Sequence, residues 1–153
     1  IINAFGAHFA EVEVDTETGR VKVLKYVAAH DSGRIISPNA ARNQVEGGVS
    51  QMLGFALFEE LVINPQTGAT VNPNFLDHRC PTILDYPPIE VIFADVVDPF
   101  GPLGAKALGE PPSVPVAPAI ANAVYNATGV RMDSLPMTPE RVLMALKQVG
   151  SSH

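Results

Sequence analysis

Strict alternation of apolar and acidic residues near the start of the chain constrains the fold most strongly. Three apolar residues alternate with two glutamates: Ala10, Glu11, Val12, Glu13 and Val14. This period of two is typical of a strand with one buried face. A polar turn at 15–20 contains Gly19, and a second apolar segment follows at 21–29. The sequence therefore predicts a β-hairpin whose return strand is broken at residues 30–33.

A long helix is predicted from about residue 38 to residue 60. Serine is a favoured N-cap and proline is tolerated at the first helical position, so Ser37 and Pro38 indicate its start. Apolar residues recur at helical spacing: Val45, Val49, Met52, Leu53, Ala56 and Leu57. Gly47 and Gly48 each cost about 1 kcal/mol relative to alanine inside a helix. We therefore expect another backbone, or a ligand, to approach this helix closely.

The remaining segments complete an α+β pattern. The sequence predicts a short strand at 61–63, a turn at 64–68, irregular chain at 70–88 and a strong strand at 89–93. A loop rich in proline and glycine follows at 98–112, and loops of this length are often functional. Helices are expected at 113–126 and after Thr138 and Pro139. We expect hairpins and a small mixed sheet packed with about three helices, in a single compact unit of residues 1–153.

Charge and length exclude several classes of protein. The chain has 10 Lys+Arg against 16 Asp+Glu, a formal net charge of −6. This argues against a nucleic-acid partner and against attachment to an acidic membrane, both of which require basic surfaces. No apolar stretch approaches the roughly 18 residues of a transmembrane helix. We expect a cytoplasmic protein.

Side-chain composition narrows the chemistry further. Cys80 is the only cysteine, so the chain can form neither an internal disulfide nor a cysteine-based zinc or iron–sulfur site by itself. The four histidines show no metal-ligand spacing, and no metal ligands are predicted. Charged residues make up 17% of the chain, below the usual value of about 25%. This low fraction predicts that other protein covers part of the surface.

Three positions are candidates for chemistry, each with a simpler structural alternative. Glu110, between a glycine-rich loop and an apolar helix, is either a general base or a carboxylate that stabilises the helix start. Gln44 either hydrogen-bonds a polar cofactor or lies on a solvated helix face. Cys80 near His78 is either a nucleophile pair or a small buried thiol beside a hydrogen-bonded histidine.

Two motifs in this order resemble a known family. Residues 44–48 read Gln-Val-Glu-Gly-Gly, and residues 104–112 read Gly-Ala-Lys-Ala-Leu-Gly-Glu-Pro-Pro. Both resemble the C-terminal part of the molybdopterin-binding large subunit of the xanthine dehydrogenase and aldehyde oxidase family, the molybdenum hydroxylases. Residues 6–15 and 136–143 resemble the same family, so the likeness covers nearly the whole chain. At His78 and Cys80 the chain departs from the aromatic and aliphatic residues that family members often carry.

The resemblance implies a cofactor, a reaction and a set of site residues. The family holds molybdenum in a pyranopterin, often as the cytosine dinucleotide in bacterial members. It hydroxylates an aldehyde or an N-heteroaromatic carbon with oxygen from water. Glu110 matches the general base. The positions implied to bind the cofactor are Gln44, Gly47, Gly48, Lys106, Ala107 and Gly109.

The resemblance also implies partners. Iron–sulfur clusters and FAD would lie on other domains or subunits, and the remainder of the molybdenum subunit would complete the pocket for a small-molecule substrate. The chain is therefore expected to be a portion of the molybdopterin-binding domain, as a fragment or a separate subunit, and to be inactive alone. The alternative is a non-catalytic assembly or scaffold module, or a cofactor-free fragment of the same fold. Low charge fits either case, since both involve buried interfaces.

Overall fold

Three strands form one mixed sheet in the computed structural model, which describes residues 3–150. Strand β1 (Phe5–Val14) is antiparallel to β2 (Val21–Asp31), which confirms the hairpin. Strand β3 (Ile89–Phe93) lies parallel to the other edge of β2. The predicted break at residue 30 is wrong, because β2 continues to Asp31, where its partner is Phe5 at the start of β1. Because β2 extends this far, its last residue, Asp31, lies at the candidate site.

Three α-helices complete the α+β fold that the sequence predicts. Helix α1 spans Pro38–Leu57, α2 spans Val116–Thr128 and α3 spans Pro139–Gly150. The long loop contains one short 3-10 turn, Pro102–Gly104. Helix α1 ends earlier than the predicted residue 60, since the amides of Phe58 and Glu59 both bond to the carbonyl of Gly54. Helix α2 begins later than residue 113, because tight turns precede it.

The predicted strand at 61–63 is wrong. Only Ile63 forms a bridge, to Thr70 across the turn that the sequence predicts at 64–68. Residues 61–63 are exposed, and no neighbouring strand extends the pairing. An isolated bridge without a buried face lacks the packing that stabilises a strand.

One hydrophobic core lies between the helices and the sheet. Helix α1 contacts both α2 and β3, while α2 also contacts β1. The predicted apolar face of α1 is confirmed, since Val45, Val49 and Leu53 are fully buried and Met52 is partly buried. Fully buried side chains from the other elements meet them: Tyr26, Ala28, Ile120 and Val124. This packing fixes the first half of α1 beside the loop that leads into α2.

Candidate functional site

The two motifs of the sequence meet in the structure. Gln44 of α1 donates a hydrogen bond from Nε2 to the carbonyl oxygen of Gly109, at 3.1 Å. One turn further along α1, a Cβ added to Gly48 would lie 3.1 Å from Pro112 Cβ. The expected close approach to α1 therefore occurs at Gly48, where the side chains of Pro112 and Ser113 pack on the helix, with the Pro112 backbone just behind them. Gly47 differs, because a Cβ at that position would meet nothing within 4 Å.

Glu110 directly follows Gly109, whose carbonyl Gln44 contacts, and it lies on an exposed turn. Its carbonyl oxygen accepts a hydrogen bond from the amide of Ser113 at 2.8 Å, which closes the turn before α2. Within residues 3–150, its carboxylate forms no hydrogen bond or ion pair. The side chain is thus held by its backbone and is free to meet a group from outside this chain.

Lys106, four residues before Glu110, is committed to a different carboxylate. Its Nζ lies 2.6 Å from Asp31 Oδ2, with side-chain exposures of 7% for the lysine and 28% for the aspartate. The hydrogen bond from Lys106, together with one from the Gly33 amide to Asp31 Oδ1, holds the pKa of Asp31 below its ordinary value. The ammonium also lies 5.4 Å from the centre of the Phe5 ring, a cation–π distance.

Backbone pairing fastens the same loop to the end of β2. The Arg34 amide donates to the carbonyl of Gly104 at 2.7 Å, and the Lys106 amide donates to the carbonyl of Ser32 at 2.8 Å. Gly33 lies between them with φ +67°, and a Cβ there would collide with the Gly104 carbonyl. Only glycine meets both conditions without strain.

A groove of about 270 Å³ runs between this loop and the start of α1. Polar groups at its border include Gln44, Lys106 and Ser32, and the Ser32 hydroxyl is buried without a hydrogen-bond partner among the described residues. The site thus combines a shallow groove, a fixed glutamine and an exposed carboxylate. Such a surface can orient a bulky polar group and accept a proton from it.

Other candidates are not assembled into a site. Cys80 is exposed, so of its two alternatives the buried thiol is wrong. His78 is half-buried, and no hydrogen bond joins it to Cys80. Among residues 3–150, no group of three or more His, Cys, Asp or Glu side chains could hold a metal ion. His153 lies outside the described residues. No helix in this part of the chain is long and apolar enough to cross a membrane.

Sequence reasoning missed a histidine pair in the hairpin, in which His30 is buried and His8 is partly buried. His8 Nε2 lies 2.8 Å from His30 Nε2, and His8 Nδ1 lies 2.8 Å from the hydroxyl of fully buried Tyr26. Burial, followed by the nearby His30, lowers the pKa of His8 to about 4. Burial also lowers the pKa of His30. The strand register places His8 opposite Ala28 and His30 opposite Gly6, so the two histidines are diagonal neighbours, which spacing along the chain does not reveal.

Acidification is expected to destabilise the protein through His8. Its pKa is 6.5 in the unfolded chain and about 4 in the folded one, so the unfolded state binds more protons between these pH values. Stability is therefore complete above pH 6.5 and falls as the pH drops towards 4. We expect a loss of about 1–2 kcal/mol, allowing for the partial exposure of His8. Urea unfolding at several pH values measures it.

The His8→Gln variant is the control for that titration. Glutamine cannot ionise, so its free energy of unfolding should vary less than that of the wild type between pH 6.5 and pH 4. Identical pH profiles for the two proteins would exclude His8 as the source.

Comparisons with known proteins identify the family of this chain. Residues 2–87 match the family model described as "Molybdopterin cofactor-binding domain". The chain is 45% identical over 139 residues to a putative xanthine dehydrogenase molybdenum-binding subunit of Escherichia coli, covering 91% of this chain and 18% of that subunit. It is 42% identical over 148 residues to an aldehyde oxidoreductase molybdenum-binding subunit of the same organism, covering 96% and 20%.

Solved structures give the same result. Quinoline 2-oxidoreductase from Pseudomonas putida matches with a TM-score of 0.88 and 31% identity, covering 95% of this chain and 19% of that one. Aldehyde oxidoreductase from Desulfovibrio gigas matches with a TM-score of 0.85 and 34% identity, covering 94% and 15%. This chain spans about a fifth or less of each of these four relatives. The chain belongs to the molybdopterin cofactor-binding domain family, as the motifs indicate.

Proposed function

We propose that this chain is part of a molybdenum-dependent hydroxylase that oxidises an aldehyde or an N-heteroaromatic carbon with oxygen from water. Glu110 is the general base, and neighbouring residues form part of the cofactor pocket. The observation that carries this proposal is the exposed Glu110 carboxylate, unpartnered within residues 3–150 and adjacent to the Gln44–Gly109 hydrogen bond. A base that must take a proton from a bound group needs this freedom.

The residues present fit a molybdenum pyranopterin. Gly47 and Gly109 are exposed, and a Cβ at either position would meet nothing within 4 Å, so a planar group can approach both backbones. Gln44 uses Nε2 on Gly109, which leaves its carbonyl oxygen to accept a hydrogen bond. The positions that would hold the cofactor, by side chain or by backbone, are Gln44, Gly47, Gly48, Lys106, Ala107 and Gly109. The cytosine dinucleotide form is part of the proposal.

The bound group supplies the two-electron oxidation, and this chain supplies proton handling and orientation. Glu110 takes a proton at its carboxylate and releases it to solvent once the substrate has been oxidised. The turn closed by Ser113 fixes the backbone from which the carboxylate projects. Gln44 holds that turn against α1 through Gly109.

Exposed apolar side chains support a larger assembly. Six large apolar residues in the described range 3–150 are at least three-quarters exposed: Phe75, Leu76, Ile83, Leu84, Phe100 and Leu103. Apolar surface of this kind is typical of interfaces. We propose that the remainder of a molybdenum subunit covers it and completes the substrate pocket, and that iron–sulfur and flavin subunits or domains accept the electrons. The chain is inactive alone, and the enzyme is cytoplasmic.

Metal and pterin analysis of the natural complex tests this function. We expect stoichiometric molybdenum and a pterin-derived fluorophore in the complex, and neither on the isolated chain. A complex that contains neither would favour the scaffold module over the enzyme. Stoichiometric molybdenum on the isolated chain would contradict the proposal that the rest of the subunit is needed.

Gly47→Val is expected to lower cofactor content. The added side chain enters the open space beside α1, which we assign to the cofactor. We expect molybdenum content to fall by about tenfold, since an overpacked contact typically costs 1–3 kcal/mol. Metal analysis of the purified complex measures this, and Glu17→Val in the hairpin turn is the control. Unchanged molybdenum in the Gly47 variant would place the cofactor elsewhere.

A further inference from the structure

We propose that Asp31 and Lys106 are positioning residues, which clamp the loop before Glu110 to the end of β2 and so fix the base. For its catalytic consequence this inference rests on the proposed function. In this arrangement the Lys106 ammonium binds Asp31, so only the backbone of the loop borders the cofactor. This inference also assigns a role to Asp31, a residue outside both sequence motifs.

The lysine of this ion pair is buried, and the aspartate is partly exposed. The lysine side chain is 7% exposed, and its Nζ lies 2.6 Å from Asp31 Oδ2. Asp31 Oδ1 is occupied separately, since it accepts the amide of Gly33 at 3.2 Å. The carboxylate therefore joins the loop at one oxygen and the glycine turn at the other. The buried Lys106 ammonium depends strongly on this carboxylate, because removing the aspartate charge leaves the lysine buried and uncompensated.

The pair lies where backbone hydrogen bonds already join the two segments. Amides of Arg34 and Lys106 bond to carbonyls across the Gly33–Ala105 bridge. From Lys106 the chain runs four residues to Glu110, and Gln44 holds Gly109 on the way. The segment carrying the base is thus fixed at both ends, by Asp31 at one and by α1 at the other.

A second ion pair on the same sheet offers a contrast. Lys25 and Glu90 join β2 to β3 at 2.8 Å, but their side chains are 51% and 52% exposed. Exposed pairs of this kind contribute little, because water and salt screen them. The two pairs share the same chemistry and the same strand, and they differ in burial and in their link to the loop. Glu90→Gln is therefore the matched control for Asp31→Asn.

The test uses the purified complex and three variants: Asp31→Asn, Lys106→Met and the double variant. Asparagine keeps an acceptor for Gly33 and removes only the charge that faces Lys106. We expect amide hydrogen exchange at Arg34 and Lys106 to be at least about tenfold faster in Asp31→Asn, because the lysine is left buried and unpaired. Turnover per molybdenum should fall by a similar factor with KM unchanged. Glu90→Gln should change neither.

The double variant separates positioning from direct cofactor binding. With both charges removed, exchange and turnover should recover only in part, because no unpaired charge remains but the contact that clamps the loop is still absent. Full recovery of both would show that the pair does not clamp the loop. If exchange recovers and turnover stays low, Lys106 acts on the cofactor itself and the inference is overturned. Wild-type exchange in Asp31→Asn would also overturn it. Absence of molybdenum from the wild-type complex would instead refute the proposed function, while the exchange data would still decide whether the pair clamps the loop.

Discussion

Replacing Glu110 by glutamine is expected to reduce turnover of the assembled enzyme by about 10²–10⁴-fold, the usual contribution of a positioned general base. Glutamine is nearly the same size but cannot accept the proton. Since the carboxylate forms no hydrogen bond or ion pair within residues 3–150, its loss should leave the fold intact. Molybdenum content and unfolding temperature should therefore match the wild type. Steady-state turnover per molybdenum is the measurement.

Glu17→Gln is the control for this substitution. Glu17 is an exposed glutamate in the hairpin turn, and only its backbone amide is engaged, with Asp15. The same chemical change at that position should leave turnover unaltered. Near-normal hydroxylation by the Glu110 variant would refute the assignment of the base. Equal losses in both variants would show a nonspecific effect of charge.

Gly48→Val is expected to destabilise the protein by about 1–3 kcal/mol, as overpacking of a tight contact usually does. Even a single Cβ at this position would lie 3.1 Å from both Pro112 Cβ and Ser113 Oγ. The larger side chain must push the loop away from α1, which also displaces Glu110. We therefore expect lower turnover together with a lower free energy of unfolding, measured in urea.

Gly47→Val is the matched control for stability. It makes the same change one residue earlier on the same helix, where a Cβ meets nothing within 4 Å. In protein freed of cofactor, its free energy of unfolding should equal that of the wild type or exceed it slightly, because glycine is a poor helix former. If both variants lose the same stability, a general effect of valine on α1 and not loop packing at Gly48 is responsible.

Elements with a strong local pattern were predictable from the sequence. The alternation at 10–14, the helical spacing from Val45 to Leu57 and the strand at 89–93 all correspond to observed elements. The prediction of a strand at 61–63 was wrong, since three apolar residues form a strand only when a partner buries them. The interpretation of Cys80 as a buried thiol was wrong for a related reason, because the local sequence does not reveal that Cys80 is exposed.

The candidate site was predictable only in part. Motif order identified Gln44, Glu110 and the glycines, and the structure adds the contacts that relate them. The structure also shows that the two adjacent glycines differ, since Gly48 packs on the loop and Gly47 is open. This difference is not visible in the sequence, because it depends on which side of α1 the loop crosses.

By itself, the sequence determined the fold class and contained the motifs that resemble the family. Local periodicity suffices for the fold class, since it acts over a few neighbouring positions. Tertiary structure alone decided that Lys106 pairs with Asp31 and that His8 meets His30. These pairs lie 75 and 22 residues apart in the chain. They meet because strand register and loop closure bring distant segments together, and no local sequence pattern indicates which distant residues will be in contact.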